Sequence, residues 1–401
     1  MNTIILKPRK EESVLRFHPW VFSGAIAKIV LDSHYPHAQP QEGELVRVAD
    51  STGKTLAVGH WQVGSIAVRI LAFGVDSLPS DFWKQRIAAA WQLRQVSGLV
   101  REDNDTFRLI HGEGDFLPGL VVDVYHDTAV VQAHSVGIHV HRHEIARALA
   151  ETLPQVKNVY YKSDDTLPFK APIEGDKTGY LIGKAGDEAC WATENGLQFR
   201  IDWVRGQKTG FFVDQRENRL LLEHYAKGHD VLNMFCYTGG FSVYAIRGGA
   251  KSVTSVDVSA KAIDLVNANV VRNFPDFTAH YSYAADAFDF LNEQKENKYD
   301  LIILDPPAFA KHRDAISNAL RGYRRINSKA IEKIQHGGIL FTFSCSQAID
   351  KEMFRLAVFT AAAQVGRKVR ILHQLHQPAD HPINIYHPEG EYLKGLVLYV
   401  E

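Results

Sequence analysis

The chain has 401 residues, of which 45% are apolar and 10% aromatic, and its formal net charge is −1. That composition excludes a disordered chain, and it excludes a protein basic over its whole surface that coats nucleic acid by counterion release alone. At roughly 150 residues per domain the length predicts two or three domains.

The charge is unevenly spread. Residues 1–74 carry 8 basic and 6 acidic groups, residues 75–195 carry 12 and 18, and residues 196–401 carry 25 and 22. The middle is the acidic part, so nucleic-acid contact is expected only outside it. Cys190, Cys236 and Cys345 match neither a zinc pattern nor a small disulfide framework. The first residues lack a signal-peptide core, and no apolar run approaches the ~20 residues of a membrane-spanning helix. A soluble cytoplasmic protein without a membrane partner is expected.

Residues 42–73 alternate apolar and polar side chains and are cut by Asp-Ser-Thr-Gly and Val-Gly-Ser, which predicts a small β-rich domain ending near Gly74. Residues 81–96 show helical spacing after a Ser80/Asp81 cap signal. Residues 107–134 read as two strands, 144–153 as a helix and 158–163 as a strand, a compact α+β middle domain. Within it, His139, His141 and His143 would share a face if the segment were a strand, which invites a metal reading. No Cys lies close by, and histidines at such a junction are more often solvated or hydrogen-bonded, so no metal is assigned.

From residue 230 the rhythm changes to strand, glycine turn, helix, glycine turn and strand, closing on Asp257. Residues 299–309 are a buried strand running into Asp305-Pro306-Pro307, and 337–347 are another that ends in Ser-Cys-Ser. Strands alternating with helices predict an α/β domain whose parallel sheet is covered on both faces, with ligands outside the carboxyl ends of the strands.

The turn Tyr237-Thr238-Gly239-Gly240 lets a ligand approach the backbone at a helix N-terminus. It is not G-x-G-x-x-G, so the dinucleotide fingerprint fails. Asp257, 18 residues after Gly239, can accept both hydroxyls of an adenosine ribose, a combination that also fits S-adenosylmethionine. Asp286-Ala287 could meet an adenine edge. The two prolines after Asp305 fix an extended backbone at the sheet edge, where the carboxylate could bond the polar edge of a flipped base. Cys345 should emerge on the same edge, with a thiolate open to activation. Seven basic residues between positions 305 and 333 (Lys311, Arg313, Arg321, Arg324, Arg325, Lys329 and Lys333) face three acidic ones, a basic window suited to phosphate.

In order, KTGFFVDQRENR (208–219), NMFCYTGGFS (233–242), DPPAF (305–309) and FSCS (343–346) resemble the ribosomal RNA large subunit methyltransferase I family of 5-methylcytosine methyltransferases. RFHPWVFSGAI (16–26) looks like that family's N-terminal PUA RNA-binding domain, and GEGDFLPGLVVDVY (112–125) like its central domain. The resemblance implies a PUA-like domain (1–74), a central α+β domain (75–190) and a Rossmann-like class I methyltransferase domain (191–401). It implies methyl transfer from S-adenosylmethionine to C5 of a cytosine in large-subunit ribosomal RNA, and a homodimer is an expectation of the same kind. Carried over, Cys345 matches the nucleophile and Asp305 the carboxylate of the Asp-Pro-Pro motif. Phe235, Tyr237, Thr238, Gly239, Gly240, Asp257, Val258, Asp286, Ala287 and Asp305 fall on cofactor positions. Gln215 and Arg216 belong to a signature stretch near the pocket, and with Pro306 and Pro307 of the Asp-Pro-Pro motif and Lys311, Arg324 and Arg325 of the basic window they are the residues expected on the RNA side. Ala308 departs from the pattern: many RNA 5-methylcytosine enzymes outside the family carry a second Cys there, and the family itself often a larger, basic residue. An N-methyltransferase acting on guanine or adenine, and a non-catalytic RNA-binding assembly factor, are the competing readings.

Overall fold

A computed structural model describes residues 1–168, 173–184, 190–310 and 313–401. The chain divides into two compact units. The first is Met1–Thr193 with Ile201–Phe211 and Ala379–Gly390, and the second is Glu194–Arg200, Phe212–Pro378 and Glu391–Glu401. No helix among the described residues is long and apolar enough to cross a membrane.

The first unit holds two sheets. One has six strands in the order Trp20–Phe22, Ile66–Phe73, Thr55–Trp61, Leu45–Ala49, Thr3–Leu6 and Ile26–Val30. Its alternating residues bury Ile4, Leu6, Val46, Val48, Val68 and Ile70 on one side. The other has five strands in the order Thr178–Ile182, Asn158–Lys162, Thr128–Ala133, Leu120–Tyr125 and Thr106–His111, packed against helices Phe82–Val96 and Arg142–Thr152. Residues 107–134 therefore hold three strands rather than two. The second turn, at His126-Asp127, lacks glycine and is made by His126 at φ 54°.

His139, His141 and His143 do not share a strand face, because the segment coils into helices Val136–Val140 and Arg142–Thr152. His139 lies 2.7 Å from both the Tyr161 hydroxyl and the Glu174 carbonyl. His141 instead stacks on His60 with ring centroids 5.1 Å apart.

The second unit is wound in the sequence α1 (Arg216–Tyr225), β1 (Asp230–Met234), α2 (Gly240–Arg247), β2 (Ser252–Asp257), α3 (Ala260–Asn273), β3 (His280–Ala284), α4 (Ala287–Glu293), β4 (Leu301–Leu304), α5 (Ile316–Lys333), β5 (Gly338–Ser344), α6 (Lys351–Val365), β6 (Val369–His376) and β7 (Lys394–Val400). The sheet order is β3-β2-β1-β4-β5-β7-β6, parallel through β5, with β7 running antiparallel between β5 and β6. Every residue of β4 and β5 is buried, as strands covered on both faces require. On α5, Ala319, Tyr323, Ile326, Asn327, Ala330 and Ile331 form one buried stripe, with charged residues on the other face. The strand order reverses between β1 and β4, which opens a crevice at their carboxyl ends.

Candidate active site

Register decides which residues meet at that crevice. Met234 pairs with Val256 on one side and Leu304 on the other, so the next residues, Phe235, Asp257 and Asp305, leave the sheet at one level. The turn after β1 then folds tightly: Phe235, Tyr237 and Gly239 take φ values of 57°, 45° and 79°. A Cβ on Gly239 would stand 2.9 Å from Val266 Cγ1, so both space and φ require glycine. The Tyr237 amide donates to Asp257 Oδ2 (3.0 Å) and the Ser259 amide to Oδ1 (2.9 Å). Each oxygen keeps a second lone pair for a ligand hydroxyl. Val258, 78% exposed, adds an apolar surface beside them.

This turn, the acceptor capacity of Asp257 and the apolar Val258 fit an adenosine-bearing cofactor such as S-adenosylmethionine. Asp286 caps α4 through Oδ1, which accepts from the Phe288 (2.8 Å) and Asp289 (3.1 Å) amides. Ala287 is buried behind it.

On the other flank, Leu304 pairs with Thr342 and Ser344 pairs with Lys394. Asp305 and Cys345, both half-buried, thus follow adjacent parallel strands at the same edge. The loops that carry them are tied together. The Ala310 amide donates to Ser346 Oγ (3.3 Å), and the Tyr323 hydroxyl bonds both Ser344 and Ser346 hydroxyls at 2.9 Å. Phe309 packs on Tyr323 with centroids 4.7 Å apart, over Gly322, where a Cβ would come within 2.9 Å of the Phe309 ring. Pro306 is buried and Pro307 exposed, as a rigid exit from the sheet requires.

Lys394 completes this edge. Its Nζ donates to the Ser346 (2.6 Å) and Ile349 (2.5 Å) carbonyls. Burial pushes Lys394 down to about 8, against the opposing pull of Cys345, Asp350 and Glu391. The other two cysteines are poor nucleophiles, because burial pushes Cys190 up to about 12 and Cys236 well above its ordinary value.

The residues expected to face RNA divide. Arg216 is 1% exposed and sits 3.6 Å from Glu194, and the buried Gln215 accepts from Asn218. Both are interior residues at the start of α1 and do not present themselves to a nucleic acid. Arg324 is half-buried and Arg325 exposed on α5, with the Arg325 guanidinium 4.5 Å from the Phe288 ring centre. Lys311 lies outside the described residues.

Sequence reasoning missed three supporting groups. Lys394 and Tyr323 carried no motif signal beyond their place at the end of a strand and on a helix stripe. The third is Arg219, which grips Glu194 with two bonds (2.9 and 2.7 Å) and donates to the Phe212 carbonyl (2.9 Å). Its side chain lies against Gly240, where a Cβ would stand 3.0 Å from Arg219 Cδ, so this buried ion pair supports the start of α2.

The strand order and the crevice residues define an S-adenosylmethionine-dependent methyltransferase of the class I fold. A family model described as S-adenosylmethionine-dependent methyltransferase matches residues 169–388, and a PUA-like domain model matches residues 4–73. The protein of Tolumonas auensis named ribosomal RNA large subunit methyltransferase I is 40% identical, with 99% of each chain covered. The protein of the same name from Alteromonas mediterranea is also 40% identical, covering 99% of this chain and 98% of its own. Among solved structures, a SAM-dependent methyltransferase from Streptococcus mutans superposes with a TM-score of 0.82 and a methyltransferase complexed with SAH with 0.84. Each is 22% identical, and all of both chains is covered, which shows a shared fold. The chain belongs to the ribosomal RNA large subunit methyltransferase I family.

Proposed function

We propose that this protein methylates C5 of a cytosine in large-subunit ribosomal RNA through a covalent Cys345 adduct. The observation that carries the reading is Cys345 on the edge that also bears Asp305, with the Lys394 ammonium anchored one residue beyond it. Bound S-adenosylmethionine supplies an electrophilic sulfonium methyl group.

C5 of cytosine is a poor nucleophile. Addition of the Cys345 thiolate to C6 forms a C–S bond and moves the 5,6 electron pair towards C5, making it enamine-like. Asp305 supports this step by holding a proton at N3 or bonding the amino edge as charge develops there. Once C5 is methylated, loss of its proton returns the pair to the 5,6 bond and expels Cys345. Ala308 follows Pro307, so expulsion proceeds without the second Cys used elsewhere. Lys394 assists by electrostatics: its positive charge favours the thiolate over the thiol, the reciprocal of the pull of Cys345 on Lys394.

Two surfaces support RNA contact. In the PUA-like domain, Arg9, Lys10 and Arg16, from the segment between strands Thr3–Leu6 and Trp20–Phe22, line a groove of about 580 Å³ with the exposed ring of Phe22, a pairing of phosphate donors and a stacking platform. In the second unit the polar face of α5 carries Arg324 and Arg325.

A ribosomal RNA substrate containing 5-fluorocytosine tests the covalent step, because fluorine at C5 cannot leave as a proton. The expected result is a denaturant-resistant protein–RNA adduct that Cys345→Ala abolishes. An adduct absent from the wild type, or retained in Cys345→Ala, overturns the reading.

A further inference from the structure

Within the first unit, His18 and His387 come together from opposite ends of the chain. The potential ligand atoms of His18, His387 and Glu389 all lie within 4.8 Å of one another. His387 is 3% exposed, yet neither of its ring nitrogens has a hydrogen-bond partner. A buried imidazole with two unanswered nitrogens costs free energy that a native fold ordinarily avoids. We propose that His18, His387 and Glu389 bind one divalent transition-metal ion of the zinc type.

The surroundings suit such an ion. His18 Nδ1 lies 3.2 Å from both the carbonyl and the amide nitrogen of Trp20, which leaves Nε2 facing away from the backbone; the tautomer in which Nδ1–H donates to the carbonyl frees the Nε2 lone pair for a metal. The His387 backbone is held by turns, with its amide donating to the Asn384 carbonyl (2.8 Å) and its own carbonyl accepting from Gly390 (3.2 Å). Trp20 packs 4.3 Å from the His387 ring and closes one side with an apolar wall. Glu113, which accepts from the Trp20 indole (2.8 Å), and Glu389 are the two carboxylates whose charges face His387. Two neutral imidazoles with two carboxylates nearby balance a doubly charged cation.

Imidazole donors favour zinc and its neighbours over magnesium or calcium, which prefer all-oxygen sites. Zinc ligands stand about 2 Å from the ion and so at most about 4 Å apart. Glu389, whose side chain is 55% exposed, can supply the remaining movement. The ion would pin the segment Ala379–Gly390 to the Phe17-His18-Pro19-Trp20 loop, both within the first unit. His18 lies so far in the chain from His387 and Glu389 that no spacing pattern joins the three.

Untagged full-length protein, stripped with a chelator, is titrated with ZnCl2 by calorimetry and with CoCl2 by absorption. The expected result is one equivalent of zinc bound, a four-coordinate cobalt spectrum, and a zinc-dependent rise in Tm of the wild type. Glu389→Gln, a change at an exposed side chain that leaves folding intact, should weaken zinc binding about tenfold, and His387→Ala by more. His34→Ala, at an exposed histidine of the same unit, should leave it unchanged. No bound equivalent in the wild type, or an affinity unaltered in both Glu389→Gln and His387→Ala, overturns the proposal.

Discussion

Lys394 Nζ donates to the carbonyl of Ser346 at 2.6 Å, the residue immediately after Cys345. A buried ammonium is thereby fixed beside the only cysteine at the carboxyl edge of β5. Lys394→Met removes the charge and keeps the apolar stem. The pH midpoint for alkylation of Cys345 by iodoacetamide should rise by about one unit or more, while Lys394→Arg should rise less. An unchanged midpoint in Lys394→Met would remove Lys394 from the mechanism.

The same lysine makes stability depend on alkaline pH. Folding lowers it from 10.5 to about 8. Below pH 8 both folded and unfolded chains hold the proton, and the burial penalty is present in full. Between about 8 and 10.5 the folded chain has released a proton that the unfolded chain keeps, so this contribution rises with pH, by up to roughly 2–3 kcal/mol. Urea unfolding at pH 7.5 and 10 should show that gain in the wild type and a smaller one in Lys394→Met.

Gly239 is required twice, by φ of 79° and by Val266 beneath it. Gly239→Ala should lower stability by about 1–2 kcal/mol from backbone strain and weaken S-adenosylmethionine binding. Adding Val266→Ala should relieve the contact but not the strain. Denaturant melts and calorimetric titration of the cofactor separate the two.

Arg219 and Glu194 are both buried and share two hydrogen bonds. Arg219→Leu strips Glu194 of its main partner and should destabilise the fold by about 3–5 kcal/mol. The pair Arg219→Leu with Glu194→Gln should recover only part of that loss: no buried carboxylate is left without Arg219, but Arg216, 3.6 Å from Glu194, loses that counter-charge. Thermal denaturation of the three proteins measures the coupling.

The basic face of α5 predicts a salt signature. Converting Arg324 and Arg325 to Gln should lower RNA affinity across sequences and reduce the slope of log affinity against log salt by about 2. Filter binding at several salt concentrations reads the slope, and an unaltered slope places these side chains away from phosphate.

The sequence displayed this site where chemistry and topology coincide. Tyr237-Thr238-Gly239-Gly240, Asp257, Asp305-Pro306-Pro307 and Cys345 all end strands of one parallel sheet, so strand–helix alternation alone assigns them to one edge. Lys394 escaped because it reaches that edge from an antiparallel strand inserted after β5, a pairing that local patterns do not encode. Arg216 is expected on the RNA side from its place in the 208–219 stretch that resembles the family, and that resemblance does not reveal that Glu194 holds it in the interior. For His139, His141 and His143 the i, i+2 spacing would put the rings on one face only on a strand, and the segment coils.

The most direct test is nucleoside mass spectrometry of unmodified large-subunit ribosomal RNA incubated with this protein and S-adenosylmethionine carrying a deuterated methyl group. Labelled 5-methylcytidine should form with the wild type and be absent with Cys345→Ala. Label on an exocyclic nitrogen of guanine or adenine, with Cys345→Ala still active, would contradict the covalent cytosine mechanism.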